Sequence, residues 1–149
     1  MKSYYRIMLG RKSIFADEAY KGSFVGIDSG LNIDLNNKLP DNWREFNKEF
    51  IPIFLEKHID KTKVAAGLAC GMLWTVSKGI LISDVVLCPD GKGAYFVGEI
   101  TTNYTYQKEK DLPHRRVVRW FPKVIDKTQM SQALQNSIGS IGTVSNVTK

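Results

Sequence analysis

The chain has 149 residues, 43% of them hydrophobic, and carries a net charge of +6 from 21 Lys+Arg against 15 Asp+Glu. That length and apolar content exclude a disordered chain and a scaffold too small for a core, and no apolar run approaches the ~20 residues of a membrane-spanning helix. The charge favours an acidic partner, and nucleic acid ahead of an anionic membrane, because no stretch sets a basic helical face opposite a large apolar one.

Tyr4 to Leu9 reads as a first strand, followed by a basic turn at Gly10-Arg11-Lys12-Ser13. Phe24 to Asp28 reads as a second short strand that ends on an acid, and residues 29–40 are polar and turn-like. A helix is expected after Pro40, capped by Asp41 or Asn42, with Trp43, Phe46, Phe50 and Phe54 at helical spacing. Pro52 falls inside that pattern, so a break is expected near Phe50. Thr62 caps a further helix, Lys63 to Leu73, whose small residues allow close packing on a sheet.

Ile80 to Cys88 and Ala94 to Ile100 read as two strands joined by a hairpin turn at Pro89-Asp90-Gly91-Lys92-Gly93. Tyr104 and Tyr106 fall in a polar stretch, NYTYQKEK, expected as a loop. His114 to Trp120 reads as a strand with Arg115, Val117 and Arg119 on one face and Arg116, Val118 and Trp120 on the other, one of which must be wet. Residues 128–137 look helical, and Ser140 to Thr148 reads as a last short strand. No repeat or internal linker divides the chain, so residues 1–149 read as one α+β domain. The end at Lys149, with no helix stop or polar tail, reads as the edge of a domain excised from a longer protein.

Cys70 and Cys88 sit in apolar surroundings and read as small core residues. With no CxxC pair and no second His/Cys cluster, neither a structural zinc site nor any cofactor is expected. Two thiols and no secretory leader point to a reducing cytoplasm. Catalytic signatures fail in turn. No GxSxG elbow supports a triad on His58 or His114, and Gly91-Lys92-Gly93 lacks the frame of a phosphate loop. Asp84 or Asp90 followed by Glu99 suggests nuclease carboxylates, but Glu99-Ile100-Thr101 puts threonine where the metal-side lysine is needed. The isolated domain is therefore expected not to be an enzyme.

Binding chemistry is better represented. From Tyr104 to Lys127 seven Lys/Arg face three Asp/Glu, a net +4 of the chain's +6. Aromatics are interleaved with this charge, as they are where cations neutralise phosphates and rings stack on unpaired bases.

The string GLACGMLWTVSKGILISDVVLCPDGKGAYFVGEITTNYTY, with HRRVVRW and NSIGSIGTV after it, resembles the EVE-like branch of the PUA superfamily, from about Phe24 to Val144. The resemblance implies a small, strongly curved β-barrel flanked by helices. It also implies a non-catalytic reader of double-stranded DNA, which flips a modified base into an aromatic pocket and targets a covalently linked nuclease domain, as in modification-dependent restriction systems. Carried over residue by residue, Trp74 would stack on the base and Asp28 would accept from an exocyclic amino group of cytosine or adenine. Tyr104 and Tyr106 would close the pocket, and Trp43 would complete its walls. His114, Arg115 and Arg116 would hold phosphates, with Lys78 and Lys12 as further phosphate contacts. The competing expectations are an RNA-binding module of the same fold, as in YTH- or ASCH-like relatives, a small metal-dependent nuclease on Asp84, Asp90 and Glu99, and a protein-interaction domain.

Overall fold

The structure, a computed structural model, describes residues 2–129 and 143–148. The expected helix at 128–137 and the start of the last strand therefore lie mostly outside the described residues. In chain order the elements are β1 (Tyr4–Ile7), α1 (Ala16–Gly22), β2 (Phe24–Ile27), α2 (Trp43–Lys57), α3 (Lys63–Trp74), β3 (Val85–Pro89), β4 (Ala94–Tyr106), β5 (His114–Trp120), β6 (Ile125–Asp126) and β7 (Val144–Asn146). The strands form one sheet in the order β2-β5-β4-β3-β1-β7, with β6 pairing β4 beside that path. All pairs are antiparallel except β1 with β3, where Tyr4 lies opposite Val85. The fold is α+β, and among the described residues no ladder joins β2 to β7, so the pairing is that of an open sheet rather than the expected closed barrel.

Both faces of the sheet carry apolar side chains. The main core lies under the helices, where Phe46, Phe50, Ala66, Cys70 and Leu73 meet Ile7, Val25, Val86 and Ile100. On the other face Val85, Leu87, Val97 and Val147 pack with Tyr95, Phe121 and Ile125. Of the two candidate caps of α2, Asn42 is the one used: its side chain accepts from Glu45 N–H at 2.9 Å. Thr62 caps α3 through Ala65 N–H at 3.1 Å. Each such cap contributes about 1 kcal/mol.

Four local expectations are corrected. α2 runs through Pro52 unbroken. Pro52 is exposed, so the backbone group it leaves without a partner faces water. The buried rings of Phe46, Phe50 and Phe54, at roughly 1.5–3 kcal/mol each, outweigh a helix penalty of about 3 kcal/mol. Ile80–Asp84 is a turn and not the start of β3. The Asp84 carboxylate accepts from Leu81 N–H (2.8 Å) and Ser3 N–H (2.9 Å), and Ser83 sits at φ +84°. β4 extends to Tyr106, so both tyrosines lie on a strand rather than in a loop. Finally, α1 occupies a stretch to which the sequence pattern assigns no element. Its Ala16 and Ala19 are buried, and its Tyr20 stacks on Phe96 at 4.3 Å. That aromatic cluster also takes in Trp120, whose indole N–H donates to Ala19 O at 3.2 Å.

Cys70 and Cys88 are free thiols inside the core, as their surroundings lead one to expect. Burial pushes the Cys70 thiol up to about 11 and raises that of Cys88 further. Neither thiol should react with a soluble thiol reagent in the folded chain at pH 8, and both should react on unfolding. Rapid labelling of the native chain would contradict this packing.

Candidate nucleic-acid interface

The segment between β2 and α2, residues 28–42, has no regular structure but is held at several points. Asp28 accepts from Gly30 N–H at 3.1 Å. Gly30 has φ +86°, and a Cβ there would lie 2.8 Å from the His58 ring, which explains glycine at this position. The His58 ring donates from Nε2 to Gly30 O at 2.9 Å. Leu31 and Leu35 are fully buried.

The central clamp is His114, which is 0% exposed. Its Nε2–H donates to Leu31 O at 2.5 Å, and in the neutral ring that burial favours Nδ1 is the accepting nitrogen. Nδ1 accepts from the Tyr104 hydroxyl at 2.7 Å, whose oxygen in turn accepts from Leu35 N–H at 3.2 Å. This relay is the one a neutral imidazole makes, and burial lowers the His114 pKa in that direction. A last tether is Trp74, whose indole N–H donates to Pro40 O at 2.9 Å.

Three clefts hold the candidate residues, two along this segment and one just past its end, beside Trp43. The first, about 330 Å³, is lined by Asp28 and Asn32 facing Tyr106, Lys108, Glu109, Lys110, Asp111 and Pro113. The second, about 570 Å³, is lined by Asn36 and Asn37 together with Asn103, Ser77, Lys78 and Arg116, and Tyr104 reaches its wall. The third, about 610 Å³, is lined by Trp43 and Trp74 with Tyr5, Leu68, Met72 and Gly71. A π-helical turn, Thr75–Gly79, follows α3 and contributes to both the second and the third. Such turns recur at functional sites.

The residues expected to form one base pocket are thus distributed over three clefts. Asp28 and Tyr106 share the first, and Trp43 and Trp74 share the third. Tyr104 is buried between its partners. A Cβ at Gly79 would lie 2.8 Å from the Trp74 ring, so one face of that indole is already covered by backbone.

The expected phosphate contacts divide similarly. Arg116 is 2% exposed, and its guanidinium donates to Thr102 O (2.8 Å), Val76 O (3.0 Å) and Ile80 O (2.6 Å). Thr102 lies in a bulge of β4, where the register shifts between Ile100 and Tyr104. His114 and Arg116 therefore face the core along with Val118, and the wet face of β5 is that of Arg115, Val117 and Arg119. Arg115 lies over the Phe24 ring at 3.8 Å and donates to Leu112 O and Asp111 O, pinning the β4–β5 connection. Lys78 is exposed and lies 3.8 Å from Asp41. Lys12 is exposed on the turn after β1 and lines none of the three clefts. Arg119 is bound to Glu99 at 2.6 Å, which also pairs with Lys2.

The candidate nuclease carboxylates each have a local structural partner. Asp84 braces the turn before β3, Asp90 Oδ1 accepts from Lys92 and Ala94 N–H, and Glu99 pairs with Arg119 and Lys2. Among the described residues no three His, Cys, Asp or Glu side chains come together as a metal site, and no helix is long and apolar enough to cross a membrane.

Sequence reasoning missed Asn32, Lys108 and Lys110 as neighbours of Asp28, and the asparagines and Ser77 of the second cleft. The charge count already contained both lysines. The asparagines carry no pattern that would single them out. A family model described as a domain of unknown function, DUF8426, matches residues 5–148. No curated protein and no solved structure matches the chain.

Proposed function

The chain belongs to the DUF8426 family, and for this member we propose a non-catalytic reader of a modified base in double-stranded DNA, built on a PUA-like, EVE-like fold. The observation that carries this reading is the first cleft. It brings together a tyrosine ring, an amide, two lysines and the carboxylates of Asp28, Glu109 and Asp111 in a space of about 330 Å³, enough for one extruded base with its sugar. Tyr106 supplies the stacking face. Asp28 and Asn32 supply the acceptor and donor that a base edge needs, and the carboxylate favours a base with an exocyclic amino group, cytosine or adenine. Lys108 and Lys110 lie at the rim for the flanking phosphates. A fused nuclease in a parent protein, and a cytoplasmic setting, belong to the same proposal and rest on the sequence resemblance.

Extrusion costs a few kcal/mol, offset by stacking in the pocket and phosphate contacts. A methyl group on the base adds on the order of 1 kcal/mol when buried, roughly tenfold in affinity.

The test is a binding titration of one duplex in four forms (unmodified, 5-methylcytosine, 5-hydroxymethylcytosine and N6-methyladenine), each at two salt concentrations. One form should bind at least about tenfold tighter than the unmodified duplex. In the same assay Tyr106→Ala should lower affinity for the preferred form by about tenfold or more, the loss of one stacked base at ~1–3 kcal/mol. Lys108→Ala should weaken all four forms alike and reduce the salt slope by about 1. Equal affinity for all four duplexes would overturn the reading, and tighter binding to unmodified single-stranded RNA would replace it with an RNA-binding one.

A further inference from the structure

We propose that the second cleft is a separate binding site for a phosphate-bearing nucleotide, its phosphate held by Arg116, Ser77 and Lys78 and its ring against Leu39, Leu81 and Ile82. Four observations point to it. The first is a buried charge with no ion-pair contact. Arg116 is almost wholly buried, and among the described residues it forms no salt bridge. Its three bonds go to neutral backbone carbonyls and engage Nε and Nη1, whereas a guanidinium has five N–H donors, two of them on Nη2. The Asp84 carboxylate acts on it through space but makes its own hydrogen bonds to the backbone N–H groups of Ser3 and Leu81, leaving the free N–H donors of Arg116 unengaged. A buried cation whose only hydrogen-bond partners are neutral leaves a positive potential at the wall it lines.

The second observation is Ser77, 3% exposed, which lines the same cleft and whose Oγ has no hydrogen-bond partner. A buried hydroxyl without a partner is uncommon and costs the fold stability, and an oxygen bound in the cleft would satisfy it. Third, Lys78 follows it in the π-helical turn with its ammonium in solvent and only a loose contact to Asp41, while Asn36, Asn37 and Asn103 add amide donors around the opening. Fourth, the far wall is apolar and wet: Leu81 is 64% and Ile82 49% exposed. They are held there by the Asp84-braced turn, which presents two apolar side chains beside a cationic floor. Cation and hydroxyl on one side with an aliphatic wall on the other suit an anionic group joined to a flat apolar ring, and about 570 Å³ is ample for one nucleotide. Such a nucleotide is either a free mononucleotide or one residue of a strand.

The experiment is an NMR titration of the full chain with inorganic phosphate, 5′-deoxyadenosine monophosphate and the dinucleoside phosphodiester d(ApA). The readouts are the backbone amides of Ser77, Lys78 and Asn103 and the Arg116 Nε–H. We expect saturable shifts at these four groups with the two nucleotides, stronger than with phosphate alone. Tighter binding of the monophosphate identifies a free nucleotide as the ligand, and tighter binding of d(ApA) identifies a strand. Ser77→Ala should weaken binding about tenfold, as for one lost hydrogen bond to a charged group, while its thermal midpoint stays equal or rises because a buried unpaired hydroxyl is removed. Absence of shifts at these groups with all three probes would overturn the proposal, as would equal binding by the folded Ser77→Ala chain. No modified duplex is involved, so the outcome is independent of the reader hypothesis.

Discussion

Arg116→Met should lower the stability of the chain by about 4 kcal/mol and its thermal midpoint by roughly 10 °C. Methionine fills much of the arginine volume, so a cavity is not the main cause. The loss comes from Val76, Ile80 and Thr102, whose carbonyls lose their donor inside the protein. Each such group costs about 1–3 kcal/mol when left alone. Arg116→Lys should rescue little, because one ammonium on a flexible stem cannot reach three carbonyls from the positions a planar fork occupies. Burial pulls the Arg116 pKa down only to about 10, so the side chain is charged at neutral pH and its bonds are the stronger, charge-assisted kind. The control is Arg119→Ala, on the exposed face of the same strand with a 61% exposed side chain, which should change stability by no more than about 0.5 kcal/mol. Equal midpoints for the two variants in thermal unfolding would show that Arg116 does not hold the π-helical turn to the sheet.

The second large effect is on acid stability. In the folded chain burial opposes the charged form of His114 and lowers its pKa below the ordinary 6.5. Above about pH 6.5 the ring is neutral in both folded and unfolded chains, and its hydrogen bonds contribute fully. Below that, the unfolded chain takes up the proton first. Stability then falls with a slope of up to about 1.4 kcal/mol per pH unit, until the pH drops below the folded value. Protonation puts a hydrogen on Nδ1, where Tyr104 now donates, and breaks the relay that ties Leu31 and Leu35 to the sheet. Urea denaturation at pH 7.5, 6.5 and 5.5 reads this directly. His114→Gln should be less stable at pH 7.5 by about 2 kcal/mol and should lack the slope between 6.5 and 5.5. The same slope in both chains would assign the acid loss to other groups.

The stretch His114–Trp120 shows how far the pattern could be read. Alternation made it a strand and divided its side chains into two faces, and that division holds in the structure. It did not say which face turns inward. A run of two arginines beside a histidine suggested a phosphate-binding edge, and the structure makes His114 and Arg116 the buried members and Arg115 and Arg119 the wetter ones. Charge normally favours the solvent side. Here the bulge in β4 and the π-helical turn after α3 bring carbonyls over the inner face, and Leu31 and Tyr104 complete the shell around His114. None of these partners is within ten residues of the side chain it satisfies, apart from Tyr104 at ten. Residues 28–42 follow the same logic. They read as a polar connection, and a polar connection they are, but the placement of Asp28 beside Tyr106 and of Trp43 beside Trp74 depends on contacts made across the sheet.

By itself the sequence determined the local grammar of this protein. It specified a cap at Asp41 or Asn42 and one at Thr62, the β3–β4 hairpin, the alternation of β5 and the burial of both cysteines. Those features follow from interactions among near neighbours in the chain, or from hydrophobicity alone. The tertiary structure alone decided which arginine is buried, how α2 carries Pro52, and where β3 begins. It also decided that five candidate pocket residues line three clefts instead of one. These depend on which surfaces meet once the sheet forms, because a buried charge or a helix-breaking residue is tolerated only where distant carbonyls, rings or solvent offset its cost.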